Sequence, residues 1–160
     1  MVMVKQQRGF TFLELMITLT VAAILSTLAF PSFVTMTKNN RLTTQANDFI
    51  LALNLTRSEA VKRSTSITIT LISGSWTNGW TVEDAAGNDL RIGDALQDSM
   101  VLTNDNTNTV ITYSSSGTAA GTPTAAPGNF DLCDDRTGEI GRQISISTTG
   151  RVSVADLTCS

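Results

Sequence analysis

Residues Gly9 to Phe30 read GFTFLELMITLTVAAILSTLAF. From Phe10 onward the run is almost entirely apolar and about 21 residues long, which as a helix matches the hydrocarbon core of a bilayer. Before it stands MVMVKQQR, whose Lys5 and Arg8 favour a cytoplasmic location for that end and export of the chain beyond the apolar run. A secretory signal has a shorter apolar stretch with its cleavage site behind it, at small residues. Glu14 interrupts this run, at roughly 2.5–3.5 kcal/mol on insertion scales, and an ionisable residue at that depth calls for a partner. Cleavage between Gly9 and Phe10 would create an α-amine close before Glu14. The amine of one copy and Glu14 of a neighbour could then neutralise each other within a bundle of apolar helices.

Gly9 followed by Phe10-Thr11-Phe12-Leu13-Glu14-Leu15 resembles the type IV prepilin motif. The resemblance implies a prepilin peptidase that cuts after Gly9 and N-methylates Phe10. It makes Glu14 the assembly glutamate and Pro31 the proline found in many members. On this reading 1–9 is a cleaved leader and 10–63 a long helix, with 10–30 as its transmembrane and assembly half. Residues 64–160 form the head. The alternative to processing is an uncleaved signal anchor.

Pro31 lacks an N–H and is expected to weaken or kink the helix, which resumes beyond it. From Asn40 to Lys62 the apolar residues Leu42, Ala46, Phe49, Ile50, Leu53, Ala60 and Val61 recur at helical spacing, a stripe suited to packing on a sheet. The helix is expected to end near Arg63-Ser64, where cations suit its C-terminus. Beyond it, strands are expected at Ser66–Ile72, Gly79–Glu83, Met100–Thr103, Val110–Tyr113, Phe130–Cys133, Gln143–Ser147 and Arg151–Val154. Gly117 to Gly128 (GTAAGTPTAAPG) reads as a surface loop, and Asn104 to Asn108 (NDNTN) as a polar turn. The fold class is α+β, a long N-terminal helix packed on an antiparallel β-sheet head.

The 160-residue chain has room for one modest domain beside that helix. Its formal charge is −3, and loss of Lys5 and Arg8 makes it about −5. An acidic chain needs a local basic patch to hold nucleic acid. There is no histidine, which removes the commonest general base and metal ligand. With no glycine-rich phosphate loop and no nucleophile elbow, neither an enzyme nor a cofactor is expected. Asp131, Asp134, Asp135 and Glu139 fit no calcium-loop spacing and read as a solvated acidic turn. Trp76 and Trp80 read as core rather than as a stacking platform. Cys133 and Cys159 show no redox or zinc spacing. In an exported protein they read as a disulfide, with two buried thiols as the alternative.

Within the pilin superfamily, Arg57-Ser58-Glu59-Ala60 with Arg63, the Trp76-x-x-Gly79-Trp80 segment, and the stretch from Cys133 to Val152 resemble GspH/FimT-like minor pilins. That resemblance implies a subunit that primes or caps a pilus. Its partners would be other pilins, the prepilin peptidase and the inner membrane. The head would be periplasmic before assembly and extracellular after it. It also implies a secondary role, binding double-stranded DNA in natural transformation through a Gly-Arg-x-Arg motif. Here Gly150 and Arg151 match, but Ser153 replaces the second arginine, so Arg136, Arg142 and Arg151 are the candidates. The alternative is a GspH-like minor pseudopilin of a type II secretion system.

Overall fold

The computed structural model describes residues 9–97 and 99–160, with the side chain of Leu28 also outside the description. Lys5, Arg8 and the rest of the expected leader up to residue 8 lie outside the described residues. The chain divides into two compact units, Met1–Asn39 and Asn40–Ser160. One α-helix, α1 (Phe12–Arg63), contributes to both.

In the first unit α1 begins behind Thr11, whose Oγ1 accepts the backbone N–H of Glu14 at 3.2 Å. This is an N-cap bond to the third helical residue. The apolar side chains here stand exposed, Phe10 at 84 % and Phe33 at 68 %. The helix runs through Pro31 without a break in its assignment. The expected weakening is thus no interruption in this structure. Proline removes one N–H and leaves the carbonyl four residues back without its helical donor, a loss one ladder bond wide.

Among the described residues, the second unit holds the last part of α1 and nine strands. β1 (Ile67–Ile72), β2 (Ser75–Glu83), β3 (Asp89–Gly93), β5 (Val110–Tyr113) and β6 (Ala119–Thr122) form a sheet in the order β3-β2-β1-β5-β6. β4 (Val101–Asn104), β7 (Asn129–Cys133), β8 (Ile140–Ile146) and β9 (Val152–Thr158) form a second, ordered β4-β7-β8-β9. Every pairing is antiparallel. The alternation in β1, where Ile67 and Ile69 are buried and Thr68 and Thr70 less so, is the period-2 signature of a half-buried strand.

The core is closed entirely by residues of this unit, from Leu42 to Ile146. Along α1, Leu42, Ala46, Phe49, Leu53 and Ala60 are buried as expected, and Ala52 and Thr56 join them. Val61 departs from the expectation, being 50 % exposed. It sits at the edge of the stripe, where α1 is about to end. Phe49 meets the rings of Trp76, Trp80 and Phe130 at 5.8, 4.9 and 4.9 Å between centroids. Both tryptophans are therefore core residues. Trp76 also donates its indole N–H to the carbonyl of Asn108 at 2.7 Å.

Five strands differ from the sequence reading. The stretch expected to be a surface loop contains β6, which pairs with β5 from Tyr113↔Ala119 to Val110↔Thr122. Its Ala, Gly and Thr residues carry no alternating signal, so backbone pairing alone reveals it. β3 is likewise absent from the expected strands, since Asp89 and Arg91 mark it as polar. β2 starts earlier than expected, and β8 and β9 are longer than expected.

The NDNTN segment is more than a polar turn. Asn108 is 1 % exposed. Its Nδ2 donates to the carbonyls of Ala126 and Pro127, and its Oδ1 accepts the N–H and hydroxyl of Thr124. Asn104 Oδ1 accepts the backbone N–H groups of Asn106 and Asn108. Asp105 accepts both the N–H and the side-chain amide of Asn129. The segment ties the strand ends of both sheets to the 124–129 turn.

Candidate functional site

Two places hold the candidate residues, the start of α1 and the β7–β9 region of the head. At the start, a Cβ added at Gly9 would meet nothing within 4 Å among the described residues. Phe10 beside it is exposed, so the Gly9–Phe10 bond is open to an enzyme. Between Gly9 and Thr37 Glu14 is the only charged side chain in the sequence. The next hydroxyls along the chain are engaged within the helix. Thr18, Thr20, Ser26 and Thr27 donate to the carbonyls of Leu15, Met16, Ala22 and Ile24 at 2.7–2.8 Å. A helix whose hydroxyls are satisfied locally crosses hydrocarbon at little polar cost. That leaves Glu14 as the group in search of a counter-charge.

Thr11 is a further site residue, beyond those expected from the sequence. Thr11-x-x-Glu14 is the spacing of a capping box, in which the glutamate also reaches back toward the first residue's N–H. That spacing is visible in the sequence. The cap holds the first turn of α1 in helical form, which fixes where along the helix axis the Glu14 side chain emerges.

In the second sheet, Cys133 and Cys159 form a disulfide, with their Cα atoms 5.8 Å apart. Cys133 ends β7, and Cys159 follows β9, two strands away. The bridge closes because β8 carries Gly141 between them. A Cβ there would lie 2.5 Å from Cys159 Sγ and 3.0 Å from Cys133 Sγ. No spacing rule marks Gly141 for this role, since the constraint arises from strand register.

The three candidate arginines are not gathered into one basic patch. Arg136 is held by Asp134, Nη2 lying 2.6 Å from Oδ2, and only 16 % of its side chain is exposed. The Asp134 carboxylate bonded to it, with Asp135 and Glu139 adding to the field, raises the guanidinium pKa further. Arg142 Nη1 lies 2.6 Å from Asp156 Oδ1 across the β8–β9 pair. Arg151 stands exposed in the turn before β9. Of the acidic residues, Asp131 accepts a hydrogen bond from Gln143. Among the described residues, no group of three metal-ligating side chains converges.

Arg57 does more than the sequence reading assigns it. From α1 its Nε donates to the carbonyl of Gly117, and its Nη2 to that of Thr149, both at 3.1 Å. One guanidinium thereby fixes a turn from each sheet. Gly150 (φ 76°) is needed at that junction, where a Cβ would strike the carbonyl of Gly117.

Residues 45–150 match the family described as Type II transport protein GspH. Residues 4–30 match the prokaryotic N-terminal methylation motif. No curated protein matches the chain. Two crystal structures of the type IV minor pilin FimU of Pseudomonas aeruginosa (strain PAO1) are similar. One, in space group P21, has a TM-score of 0.63 and 27 % identity, covering 75 % of this chain and 92 % of that one. The other, in P65, has a TM-score of 0.59 and 26 % identity, covering 71 % and 91 %.

Proposed function

The chain belongs to the family of Type II transport protein GspH, and from that premise we propose that it is a minor type IV pilin, processed at Gly9–Phe10 and assembled through its N-terminal helix. The observation that carries this is the first half of α1. It is exposed, apolar and internally satisfied, with one carboxylate, Glu14, behind an accessible Gly9–Phe10 bond. The prepilin peptidase would remove residues 1–9 and methylate Phe10. The subunit would then wait in the inner membrane with the head, residues 64–160, in the periplasm. It would enter the pilus beside other pilins when the new amine of one subunit meets Glu14 of the next. A rare subunit of this kind primes or caps the filament. The likeness to FimU, itself a type IV minor pilin, supports this reading.

A second reading, a minor pseudopilin of a type II secretion system, is favoured by the family description itself. Deletion separates the two: loss of pili and twitching fits the first, loss of exoprotein secretion the second. Double-stranded DNA as a further partner rests chiefly on Arg151, because Arg136 and Arg142 are paired with carboxylates.

The test is mass spectrometry of the mature N-terminus together with Glu14→Ala. The expected result is N-methylated Phe10 in the wild type, and a variant that inserts in the membrane but is missing from sheared filaments. An unprocessed N-terminus, or normal incorporation of Glu14→Ala, would refute the proposal.

A further inference from the structure

The two sheets present four edges, and they are not equally protected. β4 is blocked in part by β2, since Leu102 N–H donates to Thr77 Oγ1 at 3.1 Å. On β6, Ala119 N–H donates to Thr148 and Gly121 N–H to Ala125. β3 is five residues long, and its pairing with β2 is bulged at Val82/Glu83. Among the described residues, nothing gives β9 such protection. It is seven residues long, VSVADLT, and paired with β8 without a register shift. Long, regular, unprotected edges are what folded proteins ordinarily avoid.

The free groups of β9 are set by the ladder. The carbonyl of Arg151 accepts from Ser147, and Cys159 N–H donates to Glu139, so both ends of the strand face β8 at odd-numbered residues. By antiparallel alternation Ser153, Ala155 and Leu157 face β8 too. Val152, Val154, Asp156 and Thr158 turn their N–H and C=O groups outward.

We infer that this edge pairs with the same edge of a second copy of the chain, antiparallel, about a two-fold axis at Ala155. This contact is separate from helix-driven assembly and does not depend on it. Self-complementarity carries it. The register centred on Ala155 sets Val154 against Asp156 of the other copy and Val152 against Thr158, so all four outward-facing residues find hydrogen-bonding partners. No like charges are opposed, and Asp156 is already neutralised by Arg142. Centring on Asp156 instead would set two carboxylates face to face. Ala155 at the axis is small enough for close approach. Val154, 47 % exposed, lies at the new seam and gains cover.

The test is sedimentation equilibrium on residues 40–160, the unit that holds the whole core. A concentration-dependent dimer is expected. Ala155→Lys and Ala155→Glu, each setting like charges opposite at the axis, should weaken it about tenfold or more. Mixing the two variants should restore a one-to-one dimer. Val154→Pro removes an outward N–H while sparing the β8 ladder. It should keep the circular-dichroism spectrum and lose the dimer. A wild type that remains monomeric at millimolar concentration, a dimer indifferent to Ala155→Lys, or a mixture that fails to recover would each overturn the inference.

Discussion

Gly141 lies directly beneath Cys159, so close that a Cβ at 141 would come within 2.5 Å of the sulfur. The disulfide crosses β8 at the one residue that has no side chain to obstruct it. Gly141→Ala forces either β8 or the Cys159 tail to move, an overpacking cost of about 1–3 kcal/mol. The expected outcome is slower and incomplete oxidation, seen as free thiols by alkylation and mass spectrometry, with a lower melting temperature. Gly138→Ala is a useful control for the nearby glycine, because a Cβ there has open space and the cost comes only from its positive φ of 80°.

Asn108 is buried with its side-chain amide fully engaged. Replacing it with alanine strands the Thr124 N–H, at about 1–3 kcal/mol for a group left unsatisfied, while the carbonyls of Ala126 and Pro127 keep donors in Asn106, Thr124 and Asn104. Asn108→Ala should therefore destabilise the head by about 1–3 kcal/mol in urea unfolding. Asn106→Ala, on the exposed side of the same segment, should cost under about 1 kcal/mol.

How much is legible in the sequence divides along the same physical lines. The helix, its end at Arg63 and most strands can be read because burial repeats at 3.6 or 2 residues. Leu42, Phe49 and Ile67–Ile69 show that pattern. β6 cannot be read, because Ala119 to Thr122 is small and nearly featureless and is held by its partner strand. The buried Asn108 looks like every exposed asparagine in a turn. Gly141 and Arg57 act through register and through contacts across 60 and 92 residues of chain, which no local window contains. At the other end, Gly9, Phe10 and Glu14 can be named because their chemistry is local and linear.

Tyr113 is buried, its hydroxyl has no hydrogen-bond partner among the described residues, and burial pushes its pKa up to about 12. An acid whose pKa rises on folding stabilises the protein below its unfolded pKa, roughly 10 for tyrosine. That contribution is lost as pH climbs from there through about 12. The Tyr113 contribution should be flat below about pH 10, and stability should fall between about 10 and 12. Tyr113→Phe removes this part of the alkaline dependence. It should be neutral or slightly stabilising at neutral pH, since the phenol makes no bond to lose.

Asp156 masks Arg142. Asp156→Asn should free that guanidinium for phosphate, adding about one contact and steepening the log–log salt dependence of duplex DNA binding by about 0.9. The wild-type head should bind duplex only weakly and at low salt, with Arg151→Ala removing what binding there is. Gel shifts over a salt series provide the readout. An Asp156→Asn slope equal to the wild type would show that Arg142 does not reach DNA even when released.

The buried stripe of α1 runs from Leu42 to Ala60, a span of roughly 27 Å at the helical rise. Arg57 sits near its end, bonded to a turn from each sheet. A force along the axis of this stretch would load its whole length sideways, in shear, rather than prising it open one residue at a time. Both sheets would share the strain through one guanidinium.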